Sequence, residues 1–239
     1  MATTQLPRTS AKRSTVALKY SMAVSGLIML GYLLVHMYGN LKFFQGQEAF
    51  DSYLAGLEDL FTPYLPHGGL LWIMRVVLLA ALLVHVYAAM TLWQRNKVAA
   101  GYVGGKRYHT TKNRTGVQRS YASFTMRWGG IILLLFIIGH VAQMMPNWLS
   151  PGGASDSKFE RVVNGFELWW VVLLYTIGLV AVGFHLWHGF WSALTTLGQN
   201  RSATRLESWS TWASTFLAAL ICFGFLIVPF AIFFLGAGS

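Results

Sequence analysis

Charge is what this sequence has least of. Only 11% of its 239 residues are Asp, Glu, Lys or Arg, against roughly a quarter in a soluble domain, so an ordinary soluble fold is excluded. Disorder is excluded as well, because 55% of the residues are hydrophobic and disordered chains need low hydrophobicity. Cysteine is almost missing. Cys222, inside an apolar run, stands alone. No disulfide within the chain, no cysteine-ligated iron–sulfur cluster and no CxxCH haem attachment can be built from one thiol.

What the chain has instead is five long apolar runs, at about 20–44, 68–93, 124–148, 166–197 and 209–235. A ~30 Å hydrocarbon core needs about 20 helical residues, and each run supplies at least that. Spanning segments must satisfy their own backbone, so these runs read as helices, not barrel strands. The expected fold is an all-α integral membrane bundle of five transmembrane helices. A basic segment, 1–19, precedes a single membrane domain, 20–239. It does not read as a signal peptide, because no small-residue cleavage site follows the first apolar run. No internal repeat is evident.

The formal net charge of +10 follows from topology. Arg8, Lys12, Arg13 and Lys19 precede the first span, Arg95 to Arg119 holds seven basic residues between the second and third, and Arg201 and Arg205 lie between the fourth and fifth. The opposite connections hold Lys42, Lys158 and Arg161 with seven acids, Glu48, Asp51, Glu58, Asp59, Asp156, Glu160 and Glu167. Lys and Arg collect on cytoplasmic loops, so the N-terminus is expected inside and the C-terminus outside. Topology accounts for the positive charge without nucleic acid. The basic face also offers a docking surface for a soluble partner.

Five of seven histidines fall within spans: His36, His85, His140, His185 and His188. His67, after Pro66, reads as interfacial, and His109 as a solvated residue of the basic loop. Ionisable groups inside lipid are costly and are functional candidates by default. One such histidine is explained by a hydrogen bond to a neighbouring helix. One in each of four consecutive helices is not.

Depth sorts them. His36 lies six residues before Lys42, about 9 Å from the outer end of its helix at 1.5 Å per residue, and His140 lies ten before Ser150. His85 lies nineteen residues after Pro66 and His185 eighteen after Glu167, roughly 28 Å inward from the outer side. His36 therefore pairs with His140 and His85 with His185. Two imidazoles from facing helices ligate one haem iron axially, so two pairs point to two b-type haems stacked across the membrane. A metal-ion transporter would more often add Asp or Glu beside its histidines, and no span has an acid in its interior. His188 shares approximately one helix face with His185. Depth favours His185 as the ligand, leaving His188 for a propionate or a neighbouring helix.

Arg75 and Arg127 sit at the edges of the second and third spans. Guanidinium forks suit carboxylates, so each is a candidate for haem propionates. Arg127 is equally explained as a positive-inside flank. Most tryptophans lie near span ends, as interfacial anchors do. Trp187 and Trp191 flank His188. Glycines such as Gly26, Gly130 and Gly183 permit close approach of a helix or a porphyrin.

The stretches HMYGNLKFFQG at 36–46, TMRWGGIILLLFIIGH at 125–140 and GFHLWHGFWSALTTLG at 183–198 resemble the cytochrome b558 membrane-anchor subunit of succinate dehydrogenase (succinate:quinone oxidoreductase), of the single-chain, five-helix, di-haem type. The resemblance covers the whole chain. It implies flavoprotein and iron–sulfur subunits docked on the cytoplasmic face of a bacterial inner membrane, and a quinone, most plausibly menaquinone. Matched residue by residue, His85 and His185 correspond to the ligands of the inner haem b, and His36 and His140 to those of the outer. Glu58 corresponds to a glutamate implicated in proton exchange at the outer quinone site. Read as a residue alone, it is equally a solvated loop acid beside Asp59. Some members carry a glutamate two residues before the fourth ligand. Gly183 stands here, which puts in doubt the transmembrane proton path which that glutamate serves.

On this reading succinate is oxidised on another subunit, and this chain supplies haem ligation, a quinone pocket and anchoring. Two other readings share the sequence features. One is a haem b anchor of a hydrogenase or formate dehydrogenase. The other is a haem-free scaffold or transporter whose histidines are only hydrogen-bonded. Extra small subunits and oligomers of whole complexes are left open.

Overall fold

The computed structural model describes residues 14–99, 117–145, 148–199 and 209–238. All regular structure among them is helical: α1 (Thr15–Leu41), a single 3-10 turn (Lys42–Gln45), α2 (Gln47–Asp59), α3 (Gly69–Ala99), α4 (Val117–Met144), α5 (Lys158–Phe166), α6 (Trp169–Thr196) and α7 (Trp209–Leu235). Five of these, α1, α3, α4, α6 and α7, are long and apolar enough to cross a membrane.

Several helix ends depart from the apolar runs. α1 begins at Thr15, five residues before Tyr20, because the Ser14 hydroxyl accepts the Ala17 backbone N–H at 3.0 Å and caps the helix. Lys19 therefore lies in α1 and not in a separate basic segment. α3 continues past Trp93 to Ala99, and α4 starts at Val117, seven residues before Phe124, and ends at Met144, four short of Trp148. Hydropathy marks the lipid-crossing part of a helix, while hydrogen bonding carries it on through polar residues at the interface.

α2 and α5 were not expected from the apolar runs. Each is short and amphipathic. α5 opens on an N-cap in which the Ser157 hydroxyl accepts the Glu160 backbone N–H at 3.3 Å, while the Ser157 backbone N–H donates to Ser155 Oγ at 3.1 Å. Its Phe159, Val162, Val163 and Phe166 are all buried, spaced to form one stripe. They pack with Phe43, Phe50, Val171, Val172, Tyr175, Val228 and Ile232 into a core that closes one end of the bundle. Phe43 and Phe159 stack at 4.7 Å. This end is called the capped end below.

Four of the long helices form the frame of the site. α1 packs on α3 and on α6, and α6 packs on α4. α3 buries Ala81 and Ala88, seven residues apart on one face, and small residues allow close approach of helices in a membrane. α3 and α4 share no comparable backbone packing among the described residues. Their edge is joined near its two ends by Arg127 over the Trp93 ring at 5.5 Å and by Arg75 beside Met145 Sδ at 3.9 Å. α7 packs along α6, with Ser210, Ser214 and Ile221 fully buried. Most span-end tryptophans are exposed, including Trp72, Trp128, Trp148, Trp169, Trp209 and Trp212, as interfacial anchoring requires.

Candidate functional site: two facing histidine pairs

The frame brings the four histidines together as two pairs. The ring centroids of His36 and His140 are 5.8 Å apart, and those of His85 and His185 are 6.1 Å apart. The first pair joins α1 to α4 and the second joins α3 to α6, so the pairs cross the two diagonals of the frame. Three helices give the same spacing between the sites: Gly26 to His36, Gly130 to His140 and Tyr175 to His185 are each ten residues, about 15 Å of helix rise. Between them lies one aliphatic layer, with Leu30, Val182 and Ile221 buried and Leu133 packed against them.

The separation suits a metal held between two imidazoles. Two metal–nitrogen bonds of about 2 Å each, plus roughly 1 Å from each nitrogen to its ring centre, place the centroids about 6 Å apart. The second nitrogens are arranged accordingly. His85 Nδ1 lies 3.1 Å from the Met22 carbonyl oxygen and 3.3 Å from the Ser25 hydroxyl. The carbonyl can only accept, so it fixes the proton on Nδ1 and leaves a lone pair on Nε2. His140 Nδ1 lies 3.0 Å from the Tyr175 hydroxyl, which donates to Gln143 Oε1 at 3.0 Å. That hydroxyl proton is committed, so His140 donates from Nδ1 and its Nε2 is free as well. Such anchoring of the outward nitrogen is what metal-ligating histidines generally show. His185 Nδ1 is buried with no hydrogen-bond partner. Among the described residues no group of three or more His, Cys, Asp or Glu could hold a bare metal ion. Two protein ligands per site suit a metal whose other positions are filled by a macrocycle.

Backbone approaches the rings where glycine permits it. A Cβ at Gly26 would come 3.3 Å from His85 Cε1, and one at Gly130 would lie 4.0 Å from His185 Cε1. Gly129 is buried, yet a Cβ there would meet no atom within 4 Å, so the interior beside it is open. On the pair nearer the capped end, His36 stacks on Tyr32 at 5.2 Å and His140 on Phe136 at 5.9 Å.

The remaining candidates are distributed as follows. His188 is buried against the Trp187 ring at 4.6 Å, and the ring that faces His85 is that of His185. Trp187 donates to Thr215 Oγ1 on α7 at 3.0 Å. Arg75 and Arg127 are exposed, the first over the Trp72 ring at 5.0 Å and the second over Trp93. Ser25 is buried, its hydroxyl donating to the Ser21 carbonyl at 2.7 Å. The basic residues 1–13, most of the connection between α3 and α4 with His109, and Arg201 and Arg205 lie outside the described residues, as do the side-chain surroundings of Arg119.

Glu58 sits at the capped end, at the rim of a cleft lined by Asp51, Leu54, Ala55, Asp156, Ser157 and Lys158. Lys158 donates to its Oε1 at 2.8 Å, and His67 Nε2 lies 3.5 Å from Oε2. The Lys158 hydrogen bond holds the Glu58 carboxyl below its usual range, so it is a carboxylate at neutral pH. His67 Nδ1 pairs with Asp59 Oδ1 at 2.9 Å, and that bond raises the imidazole above its ordinary value. The aromatics of this loop do not converge on Glu58. Phe43 and Phe50 are committed to the core, while Phe44, Phe61 and Tyr64 are exposed.

Tyr175 and Gln143 carry the anchoring of His140 and were not singled out from the sequence. Their signal was weak: a tyrosine hydroxyl deep in an apolar span, and a glutamine three residues after a candidate ligand. Comparison with models of known protein families, with curated proteins and with solved structures finds no match to this chain. The functional reading therefore rests on geometry and on the motif resemblance.

Proposed function

We propose that the chain is a di-haem b membrane anchor of a succinate:quinone oxidoreductase, linking an iron–sulfur subunit on the cytoplasmic side to a quinone, most plausibly menaquinone. One observation carries the reading: two histidine pairs on four helices, each at the separation that a shared metal needs. The motif resemblance supplies the class of complex, its flavoprotein partner and the bacterial inner membrane. The positive-inside distribution of Lys and Arg puts the capped end outside.

When bound, the two haems supply one-electron relay sites between the two faces of the membrane. The residues of the chain do the rest. His85 and His185 hold the inner group, and His36 and His140 the outer. Met22 and Tyr175 fix the tautomers of one ligand in each pair. The aromatic core of the capped end excludes water from the outer pair. Arg75 and Arg127 stand at the two ends of the open α3–α4 edge, where a guanidinium can reach a carboxylate of the bound group. His188 backs His185 from the same helix. Glu58, ionised beside Lys158 at rest, exchanges protons with the quinone oxygens at the outer cleft, where two-electron reduction of the quinone takes up two protons.

The test is haem stoichiometry in the assembled, detergent-extracted complex. Two haems per chain are expected, falling to one in His85→Ala or His36→Ala with a different haem lost in each. No haem in the wild-type complex would leave the histidines as packing groups and end this reading.

A further inference from the structure

The two anchored ligands are anchored differently. His85 donates to a backbone carbonyl, Met22 O, which no side-chain change can remove. His140 donates to the hydroxyl of Tyr175, thirty-five residues away on another helix. That hydroxyl is itself polarised by donating to Gln143 Oε1, one turn beyond His140 on α4. The ring that carries it is 8% exposed and clamped edge-on by Phe166 at 4.7 Å and by Phe136 at 5.2 Å. The hydroxyl cannot turn to water, and its distance to His140 is set by packing. A buried phenol held this firmly does more than satisfy its own polarity.

Building on the haem reading, we propose that Tyr175, backed by Gln143, is a positioning residue that lowers the reduction potential of the outer haem through the His140 imidazole. The physical chain is short. Donation from Nδ1 puts partial imidazolate character on the ring and raises the basicity of Nε2. A more basic axial ligand stabilises the ferric state over the ferrous. The hydrogen bond from Tyr175 to Gln143 makes the phenol oxygen a better acceptor, because hydrogen bonds in a chain polarise one another. The two haems then differ by design. The inner is tuned by an invariant backbone acceptor and the outer by a side-chain pair open to adjustment.

Redox potentiometry of the assembled complex tests this, with the outer haem identified as the one missing from His36→Leu. Tyr175→Phe is expected to keep both haems, raise the midpoint of the outer one and leave the inner one in place. Gln143→Leu is expected to raise the same midpoint by less. Phe166→Leu, which loosens the same ring but keeps the hydroxyl, should raise it by clearly less than Tyr175→Phe does. An unchanged outer midpoint in Tyr175→Phe overturns the proposal while the di-haem reading stands, and an equal rise in Phe166→Leu overturns it too, since packing would then be the cause. Should Tyr175→Phe lose the outer haem, Gln143→Leu decides: a rise supports the proposal and no shift overturns it. A wild-type complex without haem removes both readings together.

Discussion

The planes of the His36 and His140 imidazoles are inclined at 71°, closer to perpendicular than to parallel, although the two rings face each other across only 5.8 Å. His85 and His185 repeat the relation at 60°. Ring orientation is set by what holds each outward edge: Tyr32 under His36, Tyr175 behind His140, Met22 and Ser25 behind His85.

Crossed imidazoles have a spectroscopic consequence. With a haem iron held between them as proposed, each ring would overlap a different iron d orbital, the two orbitals would stay close in energy, and the ferric signal would be highly anisotropic. Both haems are expected to give low-spin EPR signals of the large-gmax type at low temperature. A rhombic signal typical of parallel imidazoles would show that the rings rotate when the cofactor is bound.

Gly178 is a second point of leverage. A Cβ there would clash with the Phe136 ring, most closely with its Cδ2, and Phe136 stacks on His140. Gly178→Ala is expected to displace Phe136, cost about 1–3 kcal/mol as overpacking does, and weaken the outer haem selectively. Thermal unfolding and haem content measure both effects, and Phe136→Leu in the same chain should restore them by making room.

The proposed quinone site at the capped end makes Glu58 the residue to change. Glu58→Gln is expected to keep both haems and slow quinone turnover at least tenfold, while succinate oxidation by a soluble acceptor upstream persists. Lys158→Met tests the ion pair separately. Freeing the carboxylate should change the pH profile of quinone turnover more than its maximum. Normal quinone turnover in Glu58→Gln would take the carboxylate out of the mechanism.

The same residues give the capped end a pH window. The Glu58 carboxyl is held below 4.5, so its contribution is present above that value and lost as pH falls through the depressed one. The His67 imidazole is held above 6.5, so its contribution is complete below 6.5 and fades as pH rises through the raised value. The ties around Glu58 are therefore strongest between 4.5 and 6.5. The Lys158–Glu58 pair is partly exposed and is worth about 0.5 kcal/mol, so the change is modest. Hydrogen exchange in α5, corrected for intrinsic rates, should show maximal protection in that window. A flat profile would mean that the aromatic core alone fixes α5.

Sequence determined the five long helices and the depth of each intramembrane histidine. Both follow from linear rules: lipid thickness sets the run length, and helix rise converts residue number to depth. Depth sorted His36 with His140 and His85 with His185 without any knowledge of contacts. The rotation of each helix about its axis is not linear in this sense. Apolar residues surround every span, so no polar face marks which side looks inward, and only packing turned the four rings toward one another across the frame's diagonals. Tertiary structure also decided the acceptors. The Tyr175 hydroxyl meets His140 across thirty-five residues, and the Met22 carbonyl meets His85 across sixty-three, separations at which periodicity carries no information. At the capped end the reason is different. The Ser157 N-cap and the apolar stripe of α5 are written in Ser157 to Phe166, but nine helical residues with four large apolar groups are too few for a hydropathy window. Phe43 and Phe50 join the core only through the tertiary fold, in which Phe159 stacks on the first and meets the second edge-on.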